Sequence, residues 1–330
     1  MAILSELELF SLDDLEAELG ARSFPDFVAR SEASFKTQVN QVISELLKRE
    51  SLEMVFISGP TSSGKTTFTN HLVRSLTKQG RTACLLSIDD YYFEQSTEYD
   101  AWGRPDMESI DTIDMAYLRQ DLGILAQGGE IVMPVFDFKE RRRHILLERT
   151  CRLQPGGVLL VEGLHALSDE VIGTLDPETY LTVFIMPYAQ FIEDKRSLSP
   201  EDLRKLRRIS RDVNYRRATA LSTLDYWPAI AKEEAATITA YLGRADFYIN
   251  SFLPYELVVI APAANRAIQD SLVLYEQGTL PPSDNVKPGV YYADLEAAVA
   301  DARRLSQVAE LLPSVDSSVI PEDSILQEFI

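Results

Sequence analysis

The segment that most constrains the fold is a glycine-bearing turn between an apolar run and an amphipathic stretch. Met54–Ser58 is a short apolar run that predicts a buried strand, and residues 65–79 predict a helix. Between them, residues 59–66 read Gly-Pro-Thr-Ser-Ser-Gly-Lys-Thr and match the pattern G-x-x-x-x-G-K-[ST]. The strand before the turn and the helix after it are the context that this pattern requires.

The same turn has the composition of a phosphate-binding loop. Its glycines let the backbone curl so that successive N–H groups converge on phosphate oxygens, and the helix that follows adds its positive end. We expect Lys65 to reach the β- and γ-phosphates of a nucleotide and the Thr66 hydroxyl to bind Mg²⁺. A chance glycine turn is the alternative, and the flanking strand and helix argue against it. The predicted nucleotide-binding residues are Gly59, Thr61, Ser62, Ser63, Gly64, Lys65, Thr66 and Thr67.

Apolar runs and helical patterns alternate along the rest of the chain. Further strands are predicted over residues 82–88, 158–161, 181–186, 247–249 and 257–260. Helices are predicted over residues 25–50, 114–127, 200–217, 229–242, 264–276 and 294–312. This alternation predicts an α/β fold with a mostly parallel sheet and helices on both faces. We expect an N-terminal helical lead over residues 1–50, a core over 51–292 and a C-terminal helical extension over 293–330.

Composition indicates the setting in which the protein works. The 330 residues carry a formal net charge of -19, which argues against non-specific binding to nucleic acid. No run approaches about 18 apolar residues and the N-terminus lacks the pattern of a signal peptide, so we expect no membrane span. The two cysteines, Cys84 and Cys151, lack metal-ligand spacing, and we expect reduced thiols in a cytoplasmic protein.

Acidic residues follow two of the predicted strands. The strand over 82–88 runs into Asp89 and Asp90, and the strand over 158–161 is followed by Glu162. Ligands of an open parallel sheet gather beyond the carboxyl ends of its strands. We therefore predict that Asp89 accepts the proton of an attacking hydroxyl and that Glu162 supports a bound Mg²⁺. The alternatives are a pair of solvated turn acids for the aspartates and a capping acid for Glu162.

A helical stretch after Pro200 gathers basic residues in an otherwise acidic chain. Its arginines are Arg204, Arg207, Arg208 and Arg211, with Arg216 and Arg217 after them. Arg204, Arg208 and Arg211 share one helix face, and guanidinium groups suit phosphate oxygens. We expect a helical lid over about residues 198–218 that closes over the nucleotide and neutralises charge in the transition state. The alternative is a solvated helix whose arginines pair with nearby acids, namely Glu201, Asp202 and Asp212.

Two absent motifs narrow the class of nucleotide-binding protein. The sequence lacks the Asn-Lys-x-Asp motif that reads guanine and the Leu-Ser-Gly-Gly-Gln signature of transport ATPases. These absences point away from GTPases and transport ATPases. Together with a base at Asp89 and a basic lid, they favour a kinase.

Several segments together resemble the uridine kinase/phosphoribulokinase family of P-loop kinases over nearly the whole chain. They are most similar to its bacterial uridine-kinase-like branch, which is often fused to a TGS domain. No TGS domain is expected here, because only about fifty residues precede the loop. The segments are FISGPTSSGKTTFT (56–69), LSIDDYY (86–92), VMPVFDF (132–138), VEGLHAL (161–167), TLDYWPAIAKEE (223–234), FYINSFLPYEL (247–257) and IPEDSILQEFI (320–330).

The resemblance implies roles for individual residues. Asp89 corresponds to the catalytic base, while Tyr92 and Phe136 correspond to aromatic residues near the sugar or base of a nucleoside. Asp111 corresponds to an acid that binds ribose hydroxyls. The lid arginines match Arg208, Arg211 and Arg216, and the acid on the magnesium side matches Glu162. One departure is the sequence Arg216-Arg217-Ala218, where uridine-cytidine kinases continue with Arg-Gly-Arg.

The expected activity is transfer of the γ-phosphate of ATP, with Mg²⁺, to the 5′-hydroxyl of a nucleoside, uridine or cytidine first. The predicted catalytic residues are Asp89, Lys65, Arg208 and Arg211, with Arg208 also touching the substrate. A kinase of another sugar-like or polyol hydroxyl is the first alternative. A nucleotide-binding regulator without turnover is the second, and a homo-oligomer is left open.

Overall fold

The computed structural model describes residues 7–49, 51–94, 98–138 and 140–330. Its strands are β1 (Glu8–Phe10), β2 (Met54–Ser58), β3 (Ala83–Ser87), β4 (Glu130–Asp137), β5 (Arg142–Arg152), β6 (Val158–Glu162), β7 (Tyr180–Met186), β8 (Ala189–Glu193), β9 (Arg196–Leu198) and β10 (Phe247–Asn250). Its α-helices are α1 (Leu12–Glu16), α2 (Ser23–Lys48), α3 (Lys65–Lys78), α4 (Met115–Ala126), α5 (Asp169–Ile172), α6 (Pro200–Arg211), α7 (Ala220–Leu242), α8 (Glu256–Glu276) and α9 (Leu295–Ala309).

A five-stranded parallel sheet forms the centre of the molecule, in the order β10-β7-β2-β6-β3. Strand β2 is buried along its whole length, and its side chains alternate between two apolar clusters. Val55 and Ile57 belong to the cluster that contains α2, α3, α6 and α8, whereas Met54 and Phe56 face α4 and α5. The prediction of a parallel α/β sheet with helices on both faces is therefore confirmed.

The strand predicted over residues 257–260 is wrong, because these residues lie inside helix α8. Glu256–Ala261 are all buried, so the start of this helix has no polar face and its apolar run looks like a buried strand. Two prolines explain why the starts of two helices were predicted too far along the chain. Helices α7 and α8 contain Pro228 and Pro262 in their interiors, and the predicted helices began only after them.

A two-stranded antiparallel hairpin of β4 and β5 packs beside the sheet and was not predicted. It brings Cys151 of β5 to Cys84 of β3, with their Cα atoms 6.6 Å apart, and the two form a disulfide. The prediction of reduced thiols is therefore wrong. The pairing could not be foreseen because the two cysteines are 67 residues apart and depend on where the hairpin folds back.

Helix α8 is long and apolar. Among the described residues it is the helix whose length and composition would allow it to cross a membrane. It packs against α6, α7 and α9, and 56% of its most apolar 18-residue stretch is buried inside the protein. Core helices of soluble proteins pass the same test of length and composition.

Both ends of the described chain are attached to the core. Strand β1 pairs in parallel with β8, and α2 packs against α3 and β10. Helix α9 packs against α7 and α8, and a short 3₁₀ turn at Ile325–Phe329 packs against α3 and α6. The predicted boundaries at residues 50 and 292 remain predictions, and residues 1–6 lie outside the described part.

Candidate active site

The glycine-bearing loop joins β2 to α3 at the carboxyl edge of the central sheet. Gly59 needs to lack a side chain, because a Cβ there would come within 2.1 Å of the Ile185 carbonyl oxygen. Gly64 caps α3 with a φ of 86°, a left-handed conformation that favours glycine. A Cβ on Gly64 would also meet the side chain of Ile325 at 2.3 Å. Steric contact therefore requires glycine at position 59, and steric contact and backbone conformation together require it at position 64.

The loop has polar atoms that no protein group satisfies. Ser62 Oγ and Ser63 Oγ are buried and have no hydrogen-bond partner. The ammonium group of Lys65 bends back to donate to the carbonyls of Gly59 and Pro60, at 2.9 and 3.1 Å. Buried polar atoms without partners are rare in folded proteins and call for a ligand or water. The loop therefore has the polarity and curvature to hold phosphate oxygens.

A cavity of about 280 Å³ opens on this loop. Its walls carry nearly all of the predicted nucleotide and catalytic residues, together with groups that the sequence did not single out. The residues that the prediction and the cavity share are Thr61, Ser62, Ser63, Gly64, Lys65, Thr66, Asp89, Tyr92, Glu162, Arg208, Arg211 and Arg216. Gly59 and Thr67 do not line the cavity; they lie at the start of the loop and in the first turn of α3.

Asp89 and Glu162 meet in this cavity because adjacent parallel strands bring them together: Glu162 ends β6, and Asp89 lies two residues after the end of β3. Burial raises the pKa of Asp89, against the opposing effect of Lys65. Burial, reinforced by the charge of Asp89, raises the pKa of Glu162 to about 7. Ser87 Oγ donates to Glu162 at 3.0 Å, and Thr66 Oγ1 lies 3.5 Å from the same oxygen. This places an acid beside the hydroxyl that is predicted to bind Mg²⁺.

Asp90 points away from the cavity and has a structural role. Its carboxylate accepts from the Phe136 backbone N–H at 3.1 Å and pairs with Arg149 at 3.2 Å. These bonds tie the turn after β3 to the hairpin. Of the two adjacent aspartates, only Asp89 lines the cavity.

Glu108 is a cavity residue that the sequence analysis missed. Burial raises its pKa to about 7, with Arg208 opposing and Glu234 and Asp89 adding to the shift. His165 supports this position, because its Nε2 lies 2.7 Å from the Glu108 carbonyl oxygen and its Nδ1 lies 2.9 Å from Tyr241 Oη. Asp111, which was predicted to bind substrate, is exposed and lies outside this cavity.

A second cavity of about 470 Å³ adjoins the first and holds the remaining predicted substrate residues. Asp111 and Phe136 line it, and Tyr92, Met107 and Arg141 line both cavities. The Tyr92 ring packs against Phe136 with the ring centres 5.3 Å apart. The structure therefore divides the predicted substrate residues between two neighbouring spaces joined at Tyr92.

Helix α6 lies directly against the phosphate loop. Arg208 donates to Thr61 Oγ1 at 2.9 Å, and Arg207 donates to the Ser62 carbonyl at 3.3 Å. Asp212, in the π-type turn Asp212–Arg216, lies within 3.2 to 3.5 Å of the guanidinium groups of Arg208, Arg211 and Arg216. This shared acid holds three arginines at one side of the cavity.

The other two arginines of α6 are buried in ion pairs and do not line the cavity. Arg204 forms a bidentate ion pair with Glu234, with N–O distances of 2.7 and 2.8 Å. Glu234 also accepts a hydrogen bond from the Thr61 N–H at 3.1 Å. Arg207 is fully buried and pairs with Glu256 at 2.5 Å. The alternative of a solvated helix is wrong in one respect, since the arginines of α6 from 204 to 208 are buried, but its expected pairing with Asp212 is present. The closing of α6 as a lid stays a prediction.

A phosphate loop between a buried parallel strand and a helix, with acids at the carboxyl ends of two other strands of the same sheet, defines a P-loop kinase type of α/β protein. Residues 54–257 match the Phosphoribulokinase / Uridine kinase family, which covers more than half of the chain. The protein belongs to this family of kinases.

Individual relatives are distant. A uridine kinase of Ureaplasma urealyticum serovar 10 is 29% identical over 175 residues, which are 53% of this chain and 75% of that protein. A uridine kinase of Leuconostoc citreum is 27% identical over 180 residues, or 54% and 77% of the two chains. Among solved structures, one described as a possible uridine kinase from Bacillus stearothermophilus is 18% identical with a TM-score of 0.43, covering 65% of this chain and 98% of that one.

Proposed function

We propose that this protein is an ATP-dependent kinase that phosphorylates a hydroxyl group of a small molecule, with a nucleoside as the first candidate. The observation that carries this proposal is the convergence of Asp89, Glu162 and Lys65 with three arginines in one cavity on the phosphate loop. A kinase needs a base, a magnesium site and a cluster of positive charge in this relation.

The nucleotide side of the site uses the phosphate loop and the arginine cluster. The unpartnered hydroxyls of Ser62 and Ser63 are available for phosphate oxygens, and Lys65 can exchange its bonds to loop carbonyls for phosphate. Thr66 and Glu162 would hold Mg²⁺, directly or through water. When bound, Mg²⁺ would neutralise charge on the phosphates.

Asp89 performs the proton transfer in this proposal. The oxygen of the acceptor hydroxyl forms a bond to the γ-phosphorus, the bond from that phosphorus to ADP breaks, and the hydroxyl proton passes to the Asp89 carboxylate. Lys65, Arg208 and Arg211 hold the charge that spreads over the phosphate oxygens. A raised pKa suits the task, because it makes Asp89 a stronger base.

Glu108 is the best-placed acid for binding the acceptor. It shares the cavity with Asp89 and Tyr92, and a carboxylate can accept from two neighbouring hydroxyls at once. We therefore assign to Glu108 the hydroxyl-binding role that the sequence analysis gave to Asp111. The aromatic residues Tyr92 and Phe138 beside it suit a flat ring, which favours a nucleoside over a simple polyol.

A screen of ADP release tests the proposal. The purified protein is incubated with Mg–ATP and one acceptor at a time, drawn from nucleosides, sugars and polyols. Saturable turnover with uridine or cytidine is the expected result, and the product is checked for a 5′-monophosphate. Turnover only with a sugar or polyol would replace the nucleoside, and ATP binding without turnover on any acceptor would indicate a regulator instead of an enzyme.

A further inference from the structure

Residues 324–330, which we call the tail segment, pack between helix α3, which follows the phosphate loop, and helix α6, which carries the arginines. Three of its side chains, Ile325, Leu326 and Phe329, are fully buried. Ile325 fills the space beside Gly64, and Phe329 lies under the Arg207 guanidinium at 5.1 Å from its ring centre. The Ser210 hydroxyl donates to the Phe329 carbonyl at 2.6 Å. These contacts hold the backbone on either side of Glu328 in place.

Glu328 is the charged group of the tail segment that lines the phosphate cavity. One carboxylate oxygen accepts from Thr67 Oγ1 at 3.3 Å, and the other accepts from Arg211 Nη1 at 3.4 Å. Thr67 belongs to the first turn of α3, and Arg211 ends α6. A single carboxylate therefore links the phosphate loop's helix to one of the arginines assigned to the nucleotide.

Arg211 depends on this link more than its neighbours do. Its other acidic partner is Asp212, at 3.5 Å, but Asp212 is closer to Arg208 and also pairs with Arg216. Arg208 has a further partner in Thr61 at 2.9 Å. Without Glu328, Arg211 would be left with a carboxylate that two other guanidinium groups already share.

We propose that Glu328 is a positioning residue that holds Arg211 beside the first turn of α3, where it can contact the phosphates of the nucleotide. This inference rests on the proposed function. It predicts that neutralising Glu328 weakens the binding of ATP. Simple electrostatics predicts the opposite, since removing a negative charge from an anion site should by itself tighten this binding. A loss of affinity on neutralising Glu328 that comes without a loss of stability therefore indicates an altered position of its partner.

The test is a double-mutant cycle on the full chain, with Mg–ATP binding measured by isothermal titration calorimetry. We expect Glu328→Gln to raise the dissociation constant about three- to fivefold, the range of a partly exposed ion pair. In an Arg211→Ala background the same change should no longer weaken binding, because the residue through which Glu328 acts is gone. Glu322→Gln, which neutralises an exposed acid just before the tail segment, is the matched control and should change nothing.

Three results would overturn the proposal that Glu328 positions Arg211. Tighter binding by Glu328→Gln would show that the carboxylate merely repels nucleotide, and equal losses in both backgrounds would show that it does not act through Arg211. A fall in affinity matched by a large fall in melting temperature would assign the tail segment a structural role only. Failure of the unmodified protein to bind Mg–ATP would overturn the proposed function itself, whereas the first three results leave it intact.

Discussion

Three acids of the cavity, Asp89, Glu108 and Glu162, all have raised pKa values because the protein buries them. Such a group of buried acids costs stability, and proteins keep it where chemistry or a cation needs it. Lys65 and Arg208 lower the cost without removing it. Their burial therefore supports the proposal that these acids serve the chemistry of the site.

Replacing Asp89 with Asn should lower kcat by about 10²–10⁴-fold, because the amide cannot take the proton of the acceptor. Mg–ATP affinity should stay within about twofold, since Asp89 is not assigned to the phosphates. Both are measured by steady-state kinetics and calorimetry with the acceptor that the screen identifies. Asp90→Asn is the matched control, because the neighbouring carboxylate lies outside the cavity. Equal kinetic losses in the two variants would contradict the assignment of the base.

Replacing Glu162 with Gln should stabilise the protein at pH 8 and leave its stability unchanged near pH 4.5. The pKa of Glu162 rises from 4.5 to about 7 on folding, so the folded state binds more protons than the unfolded state within this window. Stability contributed by this group therefore falls as pH rises from 4.5 to 7. The gain at pH 8 should be on the order of 1–3 kcal/mol, measured by urea unfolding at both pH values. A gain of equal size at both would rule out titration of Glu162 as its cause.

Strand ends could be predicted from the sequence, and so could the residues that follow them. Asp89 and Glu162 were found in this way, since a parallel sheet brings its carboxyl ends together. Glu108 could not be, because the loop around it has no periodic pattern. Its position depends on two bonds between distant residues, from Tyr92 Oη to the Met107 carbonyl at 2.6 Å and from His165 to Glu108.

At the scale of elements, helix α6 is an unusual core helix, since Arg207 is among the largest fully buried side chains of the protein. Its pairing with Glu256 at the start of α8 satisfies the charge, and the guanidinium also donates to the carbonyls of Ser62 and Ser251. The pair therefore connects α6, α8 and the phosphate loop. The sequence places Arg204, Arg208 and Arg211 on one helix face, but this pattern does not distinguish an arginine that other helices bury from one that reaches the cavity, because burial is a tertiary effect.

Replacing Glu256 with Ala should lower the free energy of unfolding by about 3–5 kcal/mol, because Arg207 would keep its charge in a buried site without an acid. Thermal or urea unfolding gives the measurement. Glu276→Ala at the other end of α8 is the matched control. Its pair with Arg303 is exposed on both sides, and its loss should cost less than about 1 kcal/mol. Similar losses in the two variants would mean that the buried pair contributes no more than a surface one.

At the scale of the whole molecule, the Cys84–Cys151 disulfide joins the central sheet to the hairpin, whose Phe136 lines the second cavity. Protein purified without reductant and unfolded in guanidinium should show no reactive thiol, and reduction should expose two. Reduction should also lower the free energy of unfolding by about 2–4 kcal/mol, as expected when a loop of this length opens. Two reactive thiols before reduction would contradict the disulfide and restore the sequence-based expectation of free cysteines in a reducing compartment.

The contact between Thr67 and Glu328 joins residues that are 261 positions apart. The loop and the first turn of α3 can form from neighbouring residues, but residues 324–330 can pack against them only after most of the chain has closed. Contacts over such separations form late, because the entropy of the intervening chain must first be lost. A chain that refolds from denaturant should therefore recover its helical circular dichroism signal before it can bind nucleotide. Recovery of nucleotide binding would then mark the completion of folding.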